Sequence, residues 1–368
     1  MNWKTLRSVF ALIGVMIALT VLTEGTFISP RNLTNLTRQV AINGILAVGM
    51  TYVILIGGID LSVGSVVALS GIVVGILQVN CGFSQWVGSA AWAATLLSIG
   101  AATLVGLLCG AFNGWMITRQ RIAPFIITLG MMVIARGVAL ILAKGAAIAP
   151  LSDHFNELGQ GYLSLFWTVA IVGGGTLVNA AFLIFKKDRT KADFTLAGAS
   201  VVVSGFLLWV FMGYRGLPIP VLVFGIIALC GTIILQKTRL GRFVLAIGGN
   251  ADAAWISGVP IRSISFGIYI TLGALAGLSG AILSARLNGA MPTAGELFEL
   301  DAIAAVVIGG TSLLGGVGTV RGSILGAFFI GALNNGMSLM DVSEFFQKVI
   351  KGIIIIVAVW FDMRQSNR

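Results

Sequence analysis

The sequence predicts an all-α fold, a polytopic transmembrane helical bundle of about 10–12 spans, some of them broken or half helices. Three observations carry this expectation. Of the 368 residues, 57% are hydrophobic and 10% charged, and the mean hydropathy is +1.01. A soluble domain carries roughly 25% charged residues because water must wet its surface. The runs 61–118 and 158–185 contain no charged side chain. A span needs about 20 apolar residues, so the first run holds two helices and the second holds one. Lastly, the charges fall in the gaps between apolar runs, with basic residues in alternate gaps.

Twelve apolar segments follow along the chain, near 8–23, 38–57, 62–79, 87–117, 124–143, 164–185, 194–213, 218–236, 264–287, 300–315, 321–340 and 346–361. Lys4 and Arg7 before the first give it the look of an export leader. No small-residue cleavage site follows, and Glu24-Gly25-Thr26 reads as a loop, so it is the first span. The chain has 49 glycines, which within apolar helices let backbones approach closely. Two glycine-rich breaks echo one another: Gly57-Gly58-Ile59-Asp60-Leu61 and Gly309-Gly310-Thr311-Ser312-Leu313. Such breaks in matching positions point to a transport pathway, although chance similarity is common in so glycine-rich a chain.

Orientation follows from the loops. One side collects Lys4, Arg7, Arg119, Arg121, Lys186, Lys187, Arg189, Lys191, Lys237, Arg239, Arg242, Arg262, Arg321, Arg364 and Arg368, fifteen of the 23 basic residues. The opposite gaps hold Glu24, Asp153, Glu157, Glu296, Glu299, Asp341 and Glu344. The positive-inside rule then places both termini in the cytoplasm of a multi-pass membrane protein. The same dispersal argues against nucleic acid as the partner of the +10 net charge.

Several classes of chemistry lack their residues. Three cysteines show neither a disulfide framework nor metal-ligand spacing, and His154 stands alone, so no metal or cofactor is expected. There is no GxxxxGK[ST] loop, no GxSxG and no HExxH, hence no expectation of catalysis. The longest polar stretch, about 237–262, is too short to form its own core. Residues 1–368 therefore read as one membrane domain, and any energy source is a separate chain.

That polar stretch has internal order. Asn250 suits an N-cap, Asp252 the positive end of a helix dipole, and Gly258 with Pro260 a stop, which predicts a short helix over 250–260. Small Ala253 and Ala254 permit close docking, with Trp255 and Ile256 as anchors; an ordinary interfacial helix is the alternative. Asp60 reads as an N-cap of the next helix, helped by Ser62, or as a group lining a polar route. Arg136, central in its span, must find a carbonyl or an acid, and Asp301 reads as a helix-start acid. Asn43, Asn113, Asn334 and Asn335 are amides in apolar surroundings that require partners, either other helices or a polar substrate. Tyr52 and Trp115 suit either stacking on a ligand or anchoring at the interface.

The acid-Ala-Ala-x-x-x-Gly spacing resembles the cytoplasmic motif of ABC importer permeases. The segments GILAVGMTYVILIGGIDLSVGSVVALSG (44–71), PFIITLGMMVIARG (124–137), TRLGRFVLAIGGNADAAWISGV (238–259), ELDAIAAVVIGGTSLLGGVGTVRGSILGAF (299–328) and NNGMSLMDVSEFFQKVIKG (334–352) are similar to the ribose/xylose/galactose branch of those permeases. Many of its members lack a counterpart to 164–213; the longer form is that of the D-xylose and multiple-monosaccharide permeases. The resemblance implies monosaccharide import, an ATP-binding cassette ATPase, a periplasmic sugar-binding protein, and a permease homodimer embedded in lipid. It assigns ATPase coupling to Gly249, Asn250, Asp252, Ala253, Ala254, Ser257 and Gly258. Asp60, Ser62, Asn43, Asn113, Asn334 and Asn335 are the candidates for the sugar route. An ion-coupled secondary transporter is the competing class, with Asp60 as its candidate carboxylate.

Overall fold

A computed structural model describes residues 3–185 and 191–366; Lys186, Lys187, Arg189 and Arg368 from the basic loops lie outside these. The described residues are helical throughout, with two isolated bridges, Ile148 to Ala290 and Tyr162 to Pro218, and no named strand. In order they are α1 (Trp3–Leu22), α2 (Pro30–Leu55), α3 (Val63–Gly75, extended by a π turn over Ile76–Asn80), α4 (Ser89–Arg119), α5 (Pro124–Leu142) and α6 (Asp153–Gln160). Next come α7 (Leu165–Phe185), α8 (Lys191–Met212), α9 (Ile219–Lys237), α10 (Arg239–Gly249) and α11 (Ala251–Ile256). The last are α12 (Ile261–Leu287), α13 (Phe298–Ile308), α14 (Val320–Leu339) and α15 (Glu344–Ser366).

Each of the twelve apolar segments coincides with a helix, and the protein is an all-α polytopic bundle. Among the described residues, six helices are long and apolar enough to cross a membrane: α2, α3 with its π turn, α4, α5, α9 and α12. The 300–315 segment stops early. Helix α13 has 11 residues, or about 16 Å of rise, against a hydrocarbon core of about 30 Å. It is a half helix, and its remainder forms the glycine-rich connection 309–319.

Helices alternate in direction. Loops 56–62, 238–260 and 309–319 meet on one face: the Gly316 N–H donates to the Leu55 carbonyl at 2.9 Å. A Cβ on Gly248 would also collide with that carbonyl oxygen. On the opposite face, Ile148 and Ala290 exchange backbone bonds of 2.9 Å. There α6, capped by Ser152 accepting from the Phe155 N–H, buries Phe155 against α12. This outer helix lies in one of the acidic gaps between apolar segments.

Glycine sets the closest helix pair, α4 with α12. A Cβ at Gly106 would sit 2.1 Å from the Gly273 carbonyl oxygen, and one at Gly277 would sit 2.3 Å from that of Ala102. The opposing atoms are main chain and cannot rotate away. Overpacking ordinarily costs about 1–3 kcal/mol, and here no side chain can relax to relieve it. Gly273→Val is therefore expected to lower the melting temperature and folded yield of detergent-purified protein, whereas Gly100→Val, whose Cβ meets nothing, leaves both unchanged.

The additional segments form a hairpin of α7 and α8, tied by a Thr176–Ser204 hydroxyl bond and leaning on the bundle through α8 against α2. Its outward side is apolar: Phe166, Leu177, Val178 and Val202 are exposed. This is the surface lipid requires.

Candidate functional site

The 250–260 helix forms as expected but shorter, over Ala251–Ile256. The Asn250 side chain accepts from the Ala253 N–H at 2.9 Å, and Gly258 takes φ +80° to end the turn. The Val259 N–H closes it onto the Ala254 carbonyl. Ala254 is 4% exposed and packs with Ile247 and Val259, so it seats the helix on the bundle. The outward face consists of Asp252, Ala253, Trp255 at 64% and Ile256 at 84% exposure, followed by Ser257 and Gly258. Of the alanine pair singled out by spacing, Ala253 is exposed and Ala254 is buried. Gly249 is exposed, yet its backbone touches Gly316.

The six candidate route residues separate into three buried polar groups. In the first, Asp60 Oδ1 accepts from the Ser62 N–H at 2.8 Å and from Ser62 Oγ at 2.6 Å, while Asn113 Nδ2 donates to Ser62 Oγ at 3.0 Å. Ser62, not Asp60, occupies the N-cap position of α3; Asp60 anchors it from two residues upstream. In the second, Asn335 exchanges two amide bonds with Asn32, of 2.8 and 3.0 Å, and Asn32 Nδ2 also donates to the Phe27 carbonyl at 2.8 Å.

The third group was not assembled by sequence reasoning. Asp301 Oδ2 accepts from Lys351 Nζ at 3.2 Å and from Asn43 Nδ2 and Asn334 Nδ2 at 3.4 Å each. It draws α2, α13, α14 and α15 together. Asn43 Oδ1 and Asn334 Oδ1 are buried with no donor, an arrangement that ordinarily calls for a partner. One turn earlier, Lys348 bonds Glu296 in the outer loop at 2.8 Å, and that bond holds the Glu296 carboxyl below its ordinary range.

Arg136 meets its expectation: Nη1 donates to the Pro292 and Ala294 carbonyls at 2.6 and 2.8 Å. Tyr52 donates its hydroxyl to the Gly231 carbonyl, and Trp115 faces outward. His154 stacks near Trp92, and no group of potential metal ligands forms among the described residues.

With two glycine-rich breaks, a half helix and an exposed capped helix on the basic face, the architecture is that of a transport protein. Residues 32–359 match the family model described as branched-chain amino acid transport system / permease component. The chain belongs to this permease family. It is 39% identical to the xylose transport system permease protein XylH of Escherichia coli K12, covering 100% of this chain and 94% of that protein. XylH of Haemophilus influenzae is likewise 39% identical, with 100% and 98% covered. The ribose import permease protein RbsC of Bacillus subtilis is 37% identical, with 96% and 91% covered. No solved structure matches the chain. In this permease the exposed α11 and the Asp301 group stand on opposite halves of the bundle.

Proposed function

We propose that this permease is the membrane-spanning subunit of an ATP-driven importer of D-xylose or a related monosaccharide. It would work in the bacterial inner membrane with both termini cytoplasmic. It pairs with a second copy of itself, an ATP-binding cassette ATPase and a periplasmic sugar-binding protein. Full-length similarity to xylose permeases is the observation that carries the substrate assignment. The exposed Trp255 and Ile256 on the basic face support the ATPase assignment, because apolar anchors left open beside charged loops fit a protein groove.

ATP binding would close the ATPase pair and draw α11 with it. That motion passes through α10 to the two glycine-rich breaks and exchanges outward- and inward-facing states. The chain itself makes and breaks no covalent bond. Sugar hydroxyls suit the spare acceptors Asn43 Oδ1 and Asn334 Oδ1 beside Asp301, so these residues contribute to the route more directly than the self-paired Asn335.

Vesicles holding the chain, its ATPase and its binding protein are expected to take up labelled xylose only with ATP and with both partners present, and unlabelled xylose should compete better than ribose. Sugar accumulation by the chain alone under a proton or sodium gradient would instead establish the secondary-transporter reading, for which the intramembrane Asp301–Lys351 pair is the supporting feature.

A further inference from the structure

Helices α9 and α12 both pack on α2 but hardly on each other, which leaves a side opening in the half of the bundle nearer the basic face. The opening is a cavity of about 500 Å³, within the ordinary size range of ligand sites. Its floor is Val48, Gly49 and Tyr52 of α2. Ile226 and Cys230 form one wall, Gly267 and Leu275 the other. Two of the hydroxyls within it already donate their protons to the main chain. The Tyr52 hydroxyl is bonded to the Gly231 carbonyl, and the Thr271 hydroxyl donates to the Gly267 carbonyl at 2.8 Å. A sugar would find few polar partners along these walls, whereas hydrocarbon would meet little penalty.

The end nearer the basic face differs. Leu240 and Ser263 line it, and their chain neighbours Arg239 and Arg262 are exposed, as is Arg242 a turn along α10. None of these arginines forms an ion pair among the described residues. Apolar walls opening to the bilayer, closed at the headgroup level by unpaired cations, match one amphiphile. We propose that the crevice seats an acyl chain of an anionic phospholipid whose phosphate is held by Arg239 and Arg262. The lipid would wedge α9–α10 against α12, directly behind the segment that carries α11.

Cys230 lines the crevice and is exposed, while Cys81 lies exposed in a loop on the opposite face, so the chain carries its own probe and control. The test follows N-ethylmaleimide alkylation of both cysteines by peptide mass spectrometry, in detergent-purified full-length protein titrated with phosphatidylglycerol or with phosphatidylcholine of the same chains. Phosphatidylglycerol is expected to slow alkylation at Cys230 by about tenfold once it exceeds its Kd by that factor, and to leave Cys81 unaffected. Phosphatidylcholine should protect much less, and the pair Arg239→Gln with Arg262→Gln should erase the difference between the two lipids. A Cys230 rate indifferent to phosphatidylglycerol overturns the proposal, as does equal protection by both lipids in the unaltered chain. Cross-linking of Cys230 to Cys230 between copies in native membranes also overturns it, because a second copy would then fill the crevice.

Discussion

Replacing Ile256 with aspartate is expected to abolish most ATP-dependent sugar uptake while leaving the permease folded and inserted. The side chain is 84% exposed, so the bundle loses almost no packing. A docked ATPase would instead have to bury an unpaired carboxylate where it had an apolar anchor. Truncating a central anchor typically costs about 2 kcal/mol or more, roughly thirtyfold in affinity, and a buried charge adds to that. The checks are co-purification of the ATPase subunit, binding-protein-stimulated ATP hydrolysis, and thermal melting of the isolated permease. The first two should fall together and the third should hold. Ala254→Arg is a poorer test, because Ala254 seats α11 on Ile247 and Val259 and the variant would disturb the bundle itself. An Ile256→Asp complex that assembles and transports normally would remove α11 from the coupling role.

The second large effect is expected at Lys351. Its side chain is 21% exposed, and its ammonium faces the carboxylate of an Asp301 side chain that is 4% exposed. Lys351→Met would leave that carboxylate buried with amide donors only, and removing one partner of a buried pair costs about 3–5 kcal/mol. Pairing Lys351→Met with Asp301→Asn should recover most of the loss, since neither charge then remains. A double-mutant cycle on melting in detergent measures the coupling. Lys348→Met, which breaks the exposed pair with Glu296, should change melting little. Because α15 packs mainly on α13, loss of the inner pair should also loosen α15 and reduce uptake beyond what altered folding explains. Additive effects of Lys351→Met and Asp301→Asn would show that the two side chains do not act as a unit.

The helices were legible because lipid demands apolar runs of about 20 residues broken by charged or glycine-rich gaps, and each of the twelve segments stood out enough to be placed. The half helix α13 was misread in length because Gly309 through Val317 carries no charged residue to mark where the helix stops. Helix α6 escaped because eight residues with Phe155 and Leu158 as their main apolar contacts give too short a periodicity. The cap of α11 was readable, since Asn250 acts on a neighbour three residues away. The Asp301 group was not: its partners Asn334, Lys351 and Asn43 lie 33, 50 and 258 positions off, and nothing local in the chain announces them. Nor does spacing say which of two adjacent alanines faces inward.

At the joint where Leu55, Gly248 and Gly316 meet, peptide groups touch with no side chain between them. Rotamers elsewhere in the bundle can soak up small displacements like soft springs. This contact has no such slack, so a push of an ångström at one segment reaches the other two almost undiminished. The two glycines therefore set the stiffness of the linkage, and a methyl group at position 248 would act less as a local defect than as a shim that fixes the machine at one end of its stroke.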